Sequence, residues 1–217
     1  MTVRVFSQVP PDRVRTLWVD PDSHTSVALA RILWRELYVR DLALRTFDPV
    51  RRSRDDVEAV LLIGDKVVDP QRGSFAYEVD LGGAWRQHTG LPFVFAVWAV
   101  KDDGATARGA TAVSAVGSGI TVEQTSCDEL AQVLSTARDR GVAQAASIAE
   151  IEGPQHGWPV ELAQRYLTRC LKYTLDARAV EGANLFARYC ASADLAPADA
   201  EISWPPALRP SVAGAST

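Results

Sequence analysis

The sequence predicts an α/β protein, and three observations carry that reading. Residues 93–100, Phe-Val-Phe-Ala-Val-Trp-Ala-Val, contain no polar side chain, and a strand apolar on both faces belongs to a sheet covered on both sides. Residues 57–63 form a second apolar run of strand length, ended by Gly64-Asp65. Around these runs, apolar residues recur at spacings of three and four, the mark of helices with one buried face. The run at 93–100 is about half the length a membrane-spanning helix needs, so it reads as a core strand.

Taken in order, residues 2–9 alternate apolar and polar positions through Val3 and Val5 and stop at Pro10-Pro11, which predicts a strand. Residues 16–19 read as a short buried strand and residues 20–23 as a turn. Ser23 then starts a helix as its N-cap, with Val27, Ala30, Leu33, Trp34 and Leu37 on its core face. Residues 42–56 are polar, with Arg45, Arg51, Arg52 and Arg54 clustered, and no periodicity aims these charges at one point, so they read as solvated surface. Residues 66–84 are turn-rich, with a short extended piece at 75–79. Thr89-Gly90-Leu91-Pro92 reads as a tight turn feeding the strand at 93–100, with Trp85 packed beneath it.

Residues 101–125, rich in Gly, Ala, Ser and Thr, give no periodic signal and read as a loop or weak hairpin. Ser126 followed three residues later by Glu129 is a capping box, and Leu130, Val133, Leu134 and Ala137 form the stripe of the helix it opens. A further helix starts near Pro159 with Leu162, Tyr166, Leu167 and Cys170 inward. Asp176 caps a last helix whose inward residues are Val180, Ala183, Phe186 and Ala187. Prolines 205, 206 and 210 introduce a frayed tail.

Composition narrows the function classes. The chain has 217 residues, 47% hydrophobic and 23% charged, enough for one good core or two small lobes. A net charge of −4 gives no electrostatic footprint for nucleic acid. Cys127, Cys170 and Cys190 lack the spacing of a zinc site or disulfide framework, and a reducing compartment is the default. The first residues carry no apolar signal-peptide core, so the protein reads as cytoplasmic, without membrane insertion.

One set of motifs goes further. Thr89-Gly90-Leu91-Pro92-Phe93-Val94-Phe95-Ala96-Val97-Trp98, together with Leu62-Ile63-Gly64-Asp65 and Asp22-Ser23-His24-Thr25-Ser26-Val27, resembles chorismate dehydratase, which opens the futalosine route to menaquinone. Dihydroxynaphthoate synthase, the sister enzyme of that pathway, shares the fold but not the wording after the Pro. The resemblance implies a type II periplasmic-binding-protein-like fold, two α/β lobes with a ligand cleft between them. On that pattern residues 1–11 are the crossover between lobes, 12–90 the second lobe, 91–204 the return to the first lobe and 205–217 a disordered tail. Against the family the chain starts roughly 80 residues late, so the first part of lobe 1, with an Asn donor in a Tyr/Phe-Leu-Asn segment, is expected to be missing.

Residue chemistry and the resemblance together give a candidate site. Ser23, Thr25 and Ser26 crowd a helix N-terminus, where unpaired N–H groups and a partial positive charge suit a carboxylate or phosphate; plain capping explains the same residues. The resemblance implies a Ser-Arg-Thr-Ser segment facing the cleft and meeting a carboxylate of chorismate, with His24 in place of the Arg, a weaker holder of anions. Asp65 ends a strand and either reaches the cleft or caps the segment after it. Thr89, Gly90, Leu91 and Pro92 offer backbone N–H groups and a hydroxyl, or are simply a turn. The resemblance aligns Thr2 with a Ser that donates to substrate, a catalytic role. His88 and His156 are isolated and read as surface or satisfied core histidines.

No nucleophile with its base, metal-ligand cluster or glycine-rich phosphate loop is present in the sequence, and the resemblance implies no cofactor. It implies a hydro-lyase acting on chorismate to give 3-[(1-carboxyvinyl)oxy]benzoate, as a monomer or homodimer. The alternative is a module that binds aromatic carboxylates without catalysis, or an inactive fragment of that enzyme.

Overall fold

A computed structural model of the chain describes residues 3–20, 23–48, 53–69, 74–99, 127–199, 202–205 and 208. These residues form two compact units. The first comprises Met1–Phe95, Pro154–Pro159 and Thr174–Thr217, and the second Ala96–Gly153 and Val160–Tyr173.

The first unit is built on a five-stranded sheet. Its strands are β1 (Val3–Ser7), β2 (Thr16–Val19), β3 (Ala43–Thr46), β4 (Ala59–Ile63) and β5 (Tyr77–Asp80), in the order β3-β2-β4-β1-β5. β2 runs parallel to β3 and β4, while β1 lies antiparallel to both β4 and β5, with Val3 opposite Ile63 and Arg4 opposite Asp80. Four strands therefore point one way and β1 the other. Both faces are covered, as the apolar pattern of residues 57–63 requires. Ala59 and Leu61 join a core with Val5, Leu17, Leu29, Leu33, Trp34, Leu81 and Trp85. Val60 and Leu62 turn to the other face, with Phe6, Val57 and Val67. Glu58, the polar residue within that run, accepts backbone N–H bonds from Arg15 and Thr16 and so ties the start of β2 to the start of β4.

Helix α1 (His24–Tyr38) buries Leu29, Ala30, Ile32, Leu33 and Trp34, close to the expected face, although Leu37 is exposed at its edge. It ends on Val39 in the left-handed conformation, φ 52°, where the amides of Val39 and Arg40 return to the carbonyls of Arg35 and Trp34. β3 is an edge strand whose four residues are all exposed, which is why its polar stretch reads as surface in the sequence. Gly64, at φ 59°, turns the chain from β4 into the single-turn α2 (Asp65–Val68).

Two expectations are corrected beyond β5. The extended piece expected at 75–79 is β5, but the end of the turn-rich stretch is the first turn of helix α3 (Leu81–Thr89). Two glycines in that turn hide the helix, since each costs about 1 kcal/mol against Ala. What outweighs them is the Asp80 carboxylate capping the Gly83 amide and the burial of Leu81 and Trp85, four residues apart on one face. Gly82 is small for a reason: a Cβ there would lie 3.2 Å from the Phe95 ring. The supposed Thr-Gly turn is thus the end of α3, with Gly90 at φ 74° as its left-handed cap.

The run at 93–100 does not form a strand among the described residues. The two edges of the sheet are β3 and β5, so this run takes no place in the ladder. Phe93 packs its ring against Trp85, Phe186 and Phe95 instead, and Trp98 is 86% exposed. Trp85 does lie beneath the bend, as expected. Helix α7 (Ala177–Ser192), capped by Asp176 through the Ala179 amide, seats Val180 and Ala183 inward.

In the second unit, α4 (Cys127–Ala143) leaves Val133 and Ala137 of its expected stripe exposed. Its capping Ser126 and the stretch 101–125 lie outside the described residues. Helix α5 (Ala145–Gln155) has no large apolar stripe to announce it; its buried positions are the small residues Ala145, Ala149 and Gly153, each four apart. Helix α6 (Val160–Arg165) buries Ala163 and passes into a π-helical turn, Tyr166–Cys170, in which nothing is buried. Leu162, Tyr166, Leu167 and Cys170 are therefore not the closed core face their spacing predicts. No helix among the described residues is long and apolar enough to cross a membrane.

Candidate functional site

The parallel strands end in a place that α/β sheets reserve for ligands. β2 leads through α1 to β3 on one side, while β4 lies on the other side of β2. The crevice outside the carboxyl ends of β2 and β4 is thus a topological switch point. α1 starts there, after β2, and Asp65 and Lys66 stand there, after β4. An ion pair between Lys66 Nζ and Asp20 Oδ2 joins the two strand ends.

At this tip Ser23 is the N-cap of α1 by position, but its hydroxyl makes no capping bond. Ser23 is 5% exposed and its Oγ has no hydrogen-bond partner. A buried hydroxyl without a partner costs about 1–3 kcal/mol, so an orphan at the positive end of a 15-residue helix is an unfilled polar position beside unpaired N–H groups. Ser26 is buried one turn in, whereas His24 and Thr25 are exposed. The same end of the sheet also carries the start of β1, with Val3 opposite Ile63; Thr2 lies outside the described residues.

Asp65 is held from the far end of the sequence. Trp158 Nε1 donates to Asp65 Oδ1 at 2.6 Å, and the His156 ring stands 3.8 Å from Oδ2. Neither partner can be read from spacing, since Trp158 and Asp65 are 93 positions apart; His156 is here a neighbour of Asp65 and not an isolated residue.

Thr89, Gly90, Leu91 and Pro92 are placed elsewhere. His88 Nε2 lies 3.8 Å from Glu36 Oε2, in the last turn of α1, and twelve helical residues separate that turn from His24, a span of about 18 Å. The described residues therefore bring Ser23, His24, Thr25, Ser26 and Asp65 to the carboxyl ends of β2 and β4 and leave the bend at the other end of α1. The bend is occupied with packing: Arg178 donates to the Gly90 carbonyl at 2.6 Å, the Leu91 amide donates to Thr89 Oγ1 at 3.1 Å, and Leu91 is buried.

Comparison with known families matches the chain, over residues 1–192, to a family described as menaquinone biosynthesis.

Proposed function

The chain belongs to the menaquinone biosynthesis family, and from that premise we propose that it is a chorismate dehydratase, removing water from chorismate to give 3-[(1-carboxyvinyl)oxy]benzoate. The observation that carries this reading is the orphan hydroxyl of Ser23 at the tip of α1, a position complete only when an acceptor arrives. A carboxylate of the substrate supplies that acceptor, with Thr25, Ser26 and His24 around it. The type II periplasmic-binding-protein-like fold belongs to the same proposal. It is supported by a mixed sheet with one reversed strand, β1, at the position the resemblance assigns to the crossover between lobes.

The chemistry asks little of the protein beyond orientation. Loss of the ring hydroxyl and a ring proton produces an aromatic ring, so the product carries much of the driving force. In our reading the enolpyruvyl carboxylate of the substrate takes the ring proton, the C–O bond breaks, and proton and hydroxide leave as water. Ser23 and the α1 amides fix one carboxylate, and holding the reacting groups in register lowers the barrier without a protein base. Thr2, from its alignment with the family Ser, is the proposed donor to the substrate.

The test is incubation with chorismate, following the decay of its diene absorbance and the appearance of the benzoate product by mass spectrometry. Turnover that falls about 10-fold or more in Ser23→Ala is the expected result. Binding without turnover would identify a non-catalytic module, and the absence of both binding and turnover would sink the proposal.

A further inference from the structure

We propose that Asp65, positioned by Trp158, is the element that reads a hydroxyl group on the bound acid. The site therefore selects hydroxy-substituted aromatic carboxylates over the corresponding unsubstituted ones. This rests on the anion-binding role proposed for the α1 tip.

Three observations carry it. Asp65 projects from the carboxyl end of β4, beside the strand end that feeds α1, and its side chain is 62% exposed. One oxygen is engaged: Trp158, only 8% exposed, donates to Oδ1 at 2.6 Å and so fixes the plane of the carboxylate. The other oxygen, Oδ2, stands 3.8 Å from the His156 ring, beyond hydrogen-bond reach. An oriented acceptor with an unused oxygen takes a donor, and a carboxylate accepts without donating.

Charge decides which donor. Lys66 is engaged by Asp20, and with a neutral His156 ring beside it Asp65 repels a second carboxylate placed against it. The ligand then sits with its carboxylate at the α1 tip and a hydroxyl at Oδ2. A site that hydrogen-bonds a substrate hydroxyl favours it over the analogue lacking it, by a modest factor where, as at Asp65, water can reach the carboxylate. Trp158 is a positioning residue here, acting through Asp65.

Calorimetry of the full chain with 3-hydroxybenzoate and benzoate tests this. The wild-type protein is expected to bind the hydroxy acid about 3- to 10-fold more tightly, the range of one solvent-accessible hydrogen bond. Asp65→Ala should bring the ratio close to one with benzoate affinity unchanged or raised, since a repelling charge is gone. Trp158→Phe, which removes the N–H donor and shrinks the ring, should lower the ratio while leaving benzoate affinity in place; a merely structural tryptophan would weaken both ligands together. Asp65 is exposed, so its variant remains informative should Trp158→Phe unfold. Equal affinities in the wild type, or a ratio unmoved by Asp65→Ala, overturn the proposal and leave the α1 anion site standing. Failure of the wild type to bind either acid overturns both.

Discussion

A serine at the start of a helix is ordinarily a cap, and Ser23 departs from that in a way that can be measured. Replacing a working cap by Ala costs about 1 kcal/mol, whereas removing an orphaned buried hydroxyl relieves a desolvation cost. Ser23→Ala should therefore leave the melting temperature unchanged or raise it, while carboxylate affinity falls. A loss of stability like that of an ordinary cap would mean the hydroxyl has a structural partner. Val39 is a second residue whose conformation contradicts its type. It is β-branched, 88% exposed and left-handed at the end of α1, so Val39→Gly should stabilise by about 1 kcal/mol in urea unfolding. Cysteine chemistry is set at the same scale. Burial pushes the Cys190 thiol above its ordinary value, while Cys170 is exposed. Mass spectrometry after iodoacetamide treatment should find Cys170 alkylated in the native protein and Cys190 modified only on unfolding.

At the scale of the element, α3 depends on its first turn. Burial alone would push the Asp80 carboxyl up, but the Gly83 amide and the Arg4 guanidinium are among the influences that hold it below its ordinary value. A depressed folded value stabilises the protein above the ordinary carboxylate range, and that contribution is lost as the pH falls through the folded value. Asp80→Ala should thus cost about 1 kcal/mol near neutrality, with the gap between variant and wild type closing in acid. The other end of α3 is fixed by a close approach. A Cβ on Gly182 of α7 would run into the carbonyl oxygen of Pro92, and Gly182→Ala should destabilise by about 1–3 kcal/mol in denaturant unfolding. In both places glycine and aspartate, poor helix interiors by propensity, serve an element that packing holds together.

For the whole molecule, a sheet buried on both faces makes adjacent residues of one strand equally costly to truncate. Leu61 and Leu62 point to opposite sides of β4 and are 2% and 4% exposed. Leu61→Ala and Leu62→Ala should each cost about 2–5 kcal/mol in chemical denaturation; a single-faced sheet would spare one of them.

The sequence by itself determined the parts whose information is local. Proline stops, the Asp176 cap, the 2-residue alternation of β1 and the 3.6-residue stripe of α1 lie within one turn or one strand of each other, and each element stands where those signals put it. The covered sheet is inferred from the run at 93–100, which forms no strand among the described residues; it is β4 whose successive residues are buried on both faces. Tertiary structure alone decided what depends on residues far apart in the chain. Residues 93–99 have strand-like composition, but a strand needs a neighbour; Phe93 packs on Trp85 and Phe186 instead, and residues 95–99 are exposed. The pairing of Trp158 with Asp65 and the distance between the α1 tip and the Gly90 bend were likewise set by how helices and strands meet, because no local signal specifies contacts between residues so far apart in sequence.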